Sequence, residues 1–197
     1  MSLEKGHRSS RRTLVLTLGS GVVASTLAAP WVLTPRKSLA QTLPATPTCG
    51  SRTPSQMEGP FFTPLSPERV SLLEADMRGP RMVLKGQVVD SACRPLAGAL
   101  LDFWQCDDQG RYDNQGYRLR GHQLANRQGA FSLSTLLPGE YPGRTPHIHV
   151  KVQPVNGRVL TTQLYLPDHP RNQRDFLFDP RLVVTKKDDG FYFQFVF

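Results

Sequence analysis

From Arg81 to the C-terminus the chain is broken into runs of four to eight β-branched, aromatic and aliphatic residues, each bounded by Gly, Pro, Asn or Asp. The runs "RMVLKGQVVD", "GALLDFWQC", "AFSLSTLL", "HIHVKVQPV", "RVLTTQLYL" and "FYFQFVF" alternate or nearly alternate between apolar and polar. The spacers "SACRPLAG", "DNQG", "NRQG", "PGEYPG" and "VNG" carry the residues that tight turns need. A period of two in short segments with regular turn signals leaves little choice but strands, and strands in this number predict an all-β antiparallel β-sandwich with long loops. No heptad, fixed-period repeat or Gly-rich phosphate loop follows the first forty residues,.

The N-terminal part reads differently. Residues 1–40 combine a basic start, a moderately apolar run with small residues and a Ser38-Leu39-Ala40 end, which is the pattern of an export leader,. Adjacent Arg11 and Arg12 ahead of Thr13-Leu14-Val15 resemble a bacterial twin-arginine signal, with an ordinary secretory leader or a retained anchor helix as the alternatives,. Cleavage after Ala40 would leave no membrane anchor and 157 residues, Gln41–Phe197, within the ~100–200 residues one core supports,. The expected location is periplasmic or secreted, with the twin-arginine machinery as export partner. Residues 41–80 are rich in Pro, Thr and Ser and are expected to wrap the domain as an extended arm,. Within them "SPERVSLLEADM" (Ser66–Met77) opens like a capped helix and predicts a short helix or a turn,. Residues 81–197 form the sandwich domain.

The net charge of +8 is mostly the leader's: six Lys/Arg against Glu4 account for +5. The remaining cations are scattered rather than striped, which removes the main support for a nucleic-acid partner. Of the three cysteines, Cys49 and Cys93 are the favoured disulfide, because Cys49 begins the ordered region whereas Cys106 lies inside a strand motif,. No CxxC spacing suggests a zinc–thiolate site. The chain is compatible with a homo-oligomer, but the sequence marks no interface.

Two of the five histidines, His147 and His149, stand one residue apart in "HIHVKV". On a strand they point to one face with Lys151, about 6–7 Å apart at Cα, while Ile148, Val150 and Val152 point to the other. Such a pair reaches a single metal ion, or simply faces solvent on an edge strand. Tyr141 precedes the strand on a Pro-Gly turn, and Tyr112 lies in the polar loop "DDQGRYDNQG". A phenol has a pKa near 10, so it ligates at neutral pH only where a hard, highly charged cation replaces its proton; Fe(III) is such a cation. A two-His, one-carboxylate Fe(II) site drawing on Asp107, Asp108 or Asp113 stays open on residue types alone. Phe103, Trp104 and Tyr165 follow the packing pattern of their strands, His122 and His169 sit among polar loop residues, and Tyr117 could line an entrance.

The segments "EGPFF", "LKGQVVDSACRPLAGALLDFWQCDDQGRYD", "GAFSLSTLLPGEYPGRTPHIHVKV" and "LTTQLYLPDHPRN", in that order, cover most of Glu58–Asn172. Together they resemble the intradiol ring-cleavage dioxygenases, in particular small exported members of the protocatechuate 3,4-dioxygenase-like branch. The resemblance implies a sandwich scaffold holding non-haem Fe(3+) with Tyr112 and His147 as equatorial ligands and Tyr141 and His149 as axial ones. It implies that Tyr141 also serves as general base toward a catechol, that Arg144 stabilises negative charge on the substrate ring, and that Gln163 positions Arg144. The implied reaction cleaves an aromatic diol between its hydroxyl-bearing carbons with O2, giving a muconate-type diacid without an organic cofactor.

Two departures qualify the resemblance. "ANRQG" at Ala125–Gly129 stands where relatives often read "TDxxG", which alters a turn. Only five residues separate Tyr141 from His147, which shortens one wall of the site and leaves the identity of the catechol open. The strand-and-turn skeleton also resembles transthyretin-like or carboxypeptidase-regulatory binding modules, which do not require the four-residue set. An iron-binding homologue without ring-cleaving activity is the remaining alternative.

Overall fold

The computed structural model describes residues 49–197, so the leader reading and the start of the arm lie outside the described residues. Eight strands follow in chain order: β1 (Arg81–Val89), β2 (Leu100–Trp104), β3 (Arg120–Leu124), β4 (Ala130–Leu136), β5 (His147–Gln153), β6 (Leu160–Tyr165), β7 (Thr185–Lys187) and β8 (Gly190–Val196). They form two four-stranded sheets, ordered β4-β1-β8-β7 and β3-β2-β5-β6. Five of the six pairings are antiparallel; β1 and β8 run parallel, with Leu84 opposite Phe191 and Val89 opposite Val196. This departs from an all-antiparallel expectation, and the connection explains it. Residues 166–184 carry the chain across from one sheet to the other, and a long crossover is free of the hairpin constraint that forces neighbours to run opposite ways.

The pleat sorts residues as the alternation requires. Leu84, Val88, Leu133, Phe193 and Phe195 of one sheet meet Leu101, Phe103, Ile148, Val150, Val152 and Leu164 of the other in a single core,. The disulfide joins Cys49 to Cys93, fixing the start of the described chain to the turn after β1.

No helix forms in Ser66–Met77. The segment instead pairs with two edge strands: His122 N donates to Pro67 O and Arg69 N to His122 O on β3, while Ser134 N donates to Val70 O and Leu72 N to Ser134 O on β4. Strand edges offer unpaired amides and carbonyls, and satisfying both at once outweighs a local helical turn. β3 itself came from a stretch that reads as polar loop. His122 sits within it, and its Nδ1 lies 2.7 Å from Ser66 O.

Candidate metal centre

β5 is flanked by β2 and β6, so its histidines are not on an edge. They project from the face of the sheet opposite the core, a side usually open to water, yet His147 and His149 are each only 1% exposed. The arm roofs them. Phe62 packs edge-on against Trp104 at 4.9 Å, and the Trp104 ring stacks nearly parallel on His149 at 4.8 Å. Phe61 stacks on Tyr112 at 4.2 Å and meets Tyr141 edge-on at 6.2 Å. Register places Arg120, Trp104, His149 and Gln163 in one row across β3, β2, β5 and β6.

Tyr141 comes from the β4–β5 connection. Arg144 N donates to Tyr141 O at 2.9 Å across Pro142-Gly143, and Gly143 has φ +80°, as the third position of a type II turn demands,. The turn sets the side chains of Tyr141 and Arg144 beside one another, with an Nη of Arg144 3.2 Å from Tyr141 Oη. Tyr112 comes from the β2–β3 loop, which lies close against the β4–β5 connection: Gly139 N donates to Asp107 O.

Three donors meet directly, and Tyr112 stands beside them, its ring 5.8 Å from that of Tyr141 and 6.3 Å from that of His149. Tyr141 Oη lies 3.4 Å from His147 Nε2, which lies 3.1 Å from His149 Nε2. His147 Nδ1 is 2.6 Å from Thr145 O; donation there leaves the Nε2 lone pair facing the site,. Tyr112 Oη is buried without a hydrogen-bond partner. Burial keeps both imidazoles neutral, with the His147 pKa lowered to about 4 and that of His149 well below its usual value. Burial likewise pushes both phenols up, although Arg144 pulls Tyr141 the other way. Left to themselves these phenols keep their protons. An orphaned buried hydroxyl and facing imidazole lone pairs suit a cation, and the two phenols suit a hard one.

Among the described residues no three His, Cys, Asp or Glu side chains come together as a metal site. The three carboxylates of the alternative are engaged elsewhere: Asp107 caps Gln109 N and Arg111 N, Asp113 accepts from Gln115 N, Gly116 N and Arg118 N, and the Asp108 side chain packs against Gly79. Arg144 also contacts Gln163 Oε1 and is ion-paired with Asp175 at 2.9 Å. Burial works against the Arg144 charge, but Asp175 and Tyr141 hold it more firmly protonated than usual. All six residues singled out from the sequence, Tyr112, Tyr141, Arg144, His147, His149 and Gln163, thus lie in one connected cluster.

Sequence reasoning missed Asp175, which follows a single-turn 3-10 helix in the long crossover and has no local signature. It also missed Arg120, Phe61 and the site-facing role of Trp104. Tyr165 is a support, its hydroxyl bonded to Gln56 Oε1 and Leu177 O. Tyr117 anchors the arm through Pro64 O, and His169 Nδ1 meets Thr145 Oγ1 at 3.1 Å.

A family model described as "Dioxygenase" matches residues 57–188. The chain belongs to the intradiol ring-cleavage dioxygenase family. Within that family its fold matches the dioxygenase domain of a dioxygenase–carbohydrate-binding protein fusion from Streptomyces sp. SirexAA-E, at 50% identity and TM-score 0.71, covering 75% of this chain and 98% of that one. It also matches an intradiol ring-cleavage dioxygenase from Tetranychus urticae, at 26% identity and TM-score 0.67, covering 74% and 94%. A catechol 1,2-dioxygenase from Pseudomonas sp. (strain EST1001) is 28% identical over 66% of this chain and 52% of its own length. The chain spans about half the length of the curated relatives it matches, which include catechol-, chlorocatechol- and hydroxyquinol-type family members.

Proposed function

We propose that the protein is a non-haem Fe(III) dioxygenase that cleaves a catechol-type diol between its two hydroxyl-bearing carbons, taking up both atoms of O2 to give a muconate-type diacid. The observation that carries this reading is the convergence of two phenols and two neutral imidazoles in one desolvated corner, with an arginine aimed at the more exposed phenol. The substrates in the names of the curated relatives are all aromatic 1,2-diols, which supports the substrate class.

Tyr112, Tyr141, His147 and His149 would hold the ion. Fe(III) would supply the positive charge that makes a diol acidic and its ring reactive toward O2. The protein's own groups do the rest. Held as a phenolate, Tyr141 would be a strong base toward a diol hydroxyl, because burial raises the affinity of its oxygen for a proton,. Arg144 supplies fixed donors for negative charge on the ring, and Asp175 and Gln163 keep those donors in place. Trp104 and the arm aromatics exclude water around His149.

The test is to load the mature chain with ferric ion and record its visible tyrosinate colour and its O2 uptake on substituted catechols. Tyr141→Phe should weaken the colour and lower turnover by about 10²-fold or more. Unchanged colour would remove Tyr141 from the ligand set, and colour without O2 uptake would identify an iron-binding homologue. Export by the twin-arginine route to the periplasm or beyond is part of the same proposal, and the Cys49–Cys93 disulfide supports an oxidising compartment,.

A further inference from the structure

Arg120 is 1% exposed, yet no carboxylate lies within ion-pair distance of it among the described residues. The neighbouring Asp113 carboxylate accepts from three backbone amides of its own loop. A buried guanidinium is costly unless its donors are satisfied, so its partners reveal what it is for. They are two backbone carbonyls. Nε and one Nη donate to Asp113 O, at 3.1 and 2.6 Å, and the other Nη donates to Phe61 O.

Both carbonyls bear on one ring. Asp113 directly follows Tyr112, and the Phe61 ring stacks on Tyr112 at 4.2 Å, while the guanidinium carbon stands 6.0 Å from the Tyr112 ring centre. The Tyr112 hydroxyl is buried with no donor bracing it as Arg144 braces Tyr141, and its neighbour there is the Tyr141 phenol, 5.8 Å away ring to ring. Tyr141, by contrast, is held at its oxygen by Arg144, which is braced by Gln163. Gln163 and Arg120 occupy the two ends of the same cross-strand row through Trp104 and His149. The site is therefore propped from both sides of the sheet by an arginine, one acting on a phenol oxygen and the other on a phenol ring.

We propose that Arg120 is the positioning residue for Tyr112, clamping its loop and its stacking partner Phe61 so that the phenol stays beside Tyr141 and His149. The role toward a metal rests on the ferric reading above; the clamp on the ring does not. The guanidinium uses three separate nitrogens in one rigid plane to meet both carbonyls, whereas Lys keeps the charge but has a single nitrogen that cannot stand in all three places,.

The chain has five tyrosines, few enough to resolve by NMR with ¹³C-labelled tyrosine. In metal-free protein, the Tyr112 ring signal, assigned by its loss in Tyr112→Phe, should shift or broaden in Arg120→Lys, while the signals of Tyr192 and Tyr165 stay in place. In ferric-loaded protein the same variant should move the visible absorption band and weaken iron binding by about tenfold, in line with other outer-sphere supports. An unmoved Tyr112 signal in folded Arg120→Lys would overturn the proposal. If that variant does not fold, Arg120→Met decides: it buries no charge and removes every bond to the two carbonyls while leaving the Phe61 ring in place, and the proposal requires the Tyr112 signal to move there too,. Wild-type protein that stays colourless on ferric loading would sink the ferric reading, while the metal-free NMR still decides the role of Arg120.

Discussion

Asp175 shows how much of a site depends on a residue with no signature of its own. Its two oxygens accept from Arg144 Nε, Thr145 N and Leu177 N, so one carboxylate holds the arginine, the segment leading into β5 and its own loop. With the Arg144 and Asp175 side chains 11% and 1% exposed, Asp175→Asn would leave a buried cation without its counter-charge. The expected cost is about 3 kcal/mol, read as a lower urea midpoint, together with slower turnover. The histidines make a second measurable demand. The folded pKa of His147 is about 4, against 6.5 when unfolded, so between those values only the unfolded chain takes up the proton. Stability of the metal-free protein is then full above pH 6.5 and falls as pH drops toward 4, by about 3 kcal/mol. A urea midpoint that holds steady from pH 7 to pH 4 would contradict the buried, neutral assignment. At this scale the grouping of His147, His149, Tyr112 and Tyr141 was legible because a His-x-His strand and two tyrosines in flanking turns and loops match the motifs of a known family. Asp175 and Arg120 were not, because carboxylates and guanidiniums are common surface residues and only burial sets these two apart.

At the scale of elements, the six apolar runs became strands because period-two alternation survives any tertiary context that buries one face. β3 escaped detection since "RGHQL" has no apolar alternation; the buried Arg120, Gly121 and Gln123 are stabilised there by neighbours rather than by propensity,. Ser66–Met77, read as a short helix or a turn, forms an edge-capping strap that ends in a turn, with Met77 N donating to Glu74 O. Gly86, in the middle of β1, is a further constraint invisible in sequence. A Cβ there would stand 1.9 Å from Phe193 O and 2.7 Å from the Phe131 ring. Gly86→Ala should therefore push β1 away from β8, destabilising the fold by about 2 kcal/mol in chemical denaturation while leaving the ferric colour of the surviving folded protein unchanged.

For the whole molecule, the sandwich class followed from alternation and turn chemistry, whereas the order of strands in the sheets and the parallel β1–β8 pairing depend on a crossover whose path no local pattern encodes. The arm integrates the two sheets: Thr53 N donates to Val196 O in one and Gln56 N to Thr161 O in the other. The Cys49–Cys93 disulfide closes 44 residues of chain around that arm. By loop-closure entropy its reduction should cost about 4 kcal/mol, seen as a lower melting temperature in reductant. Because the arm also carries Phe61 and Phe62, reduced protein should lose ferric affinity before it loses its strands by circular dichroism. Behind all of this stands the pleat of β5. Its even-numbered side chains knit the two layers together, while His147 and His149 face the candidate site on the far side. Side chains on that far side can thus change without reopening what keeps the chain folded.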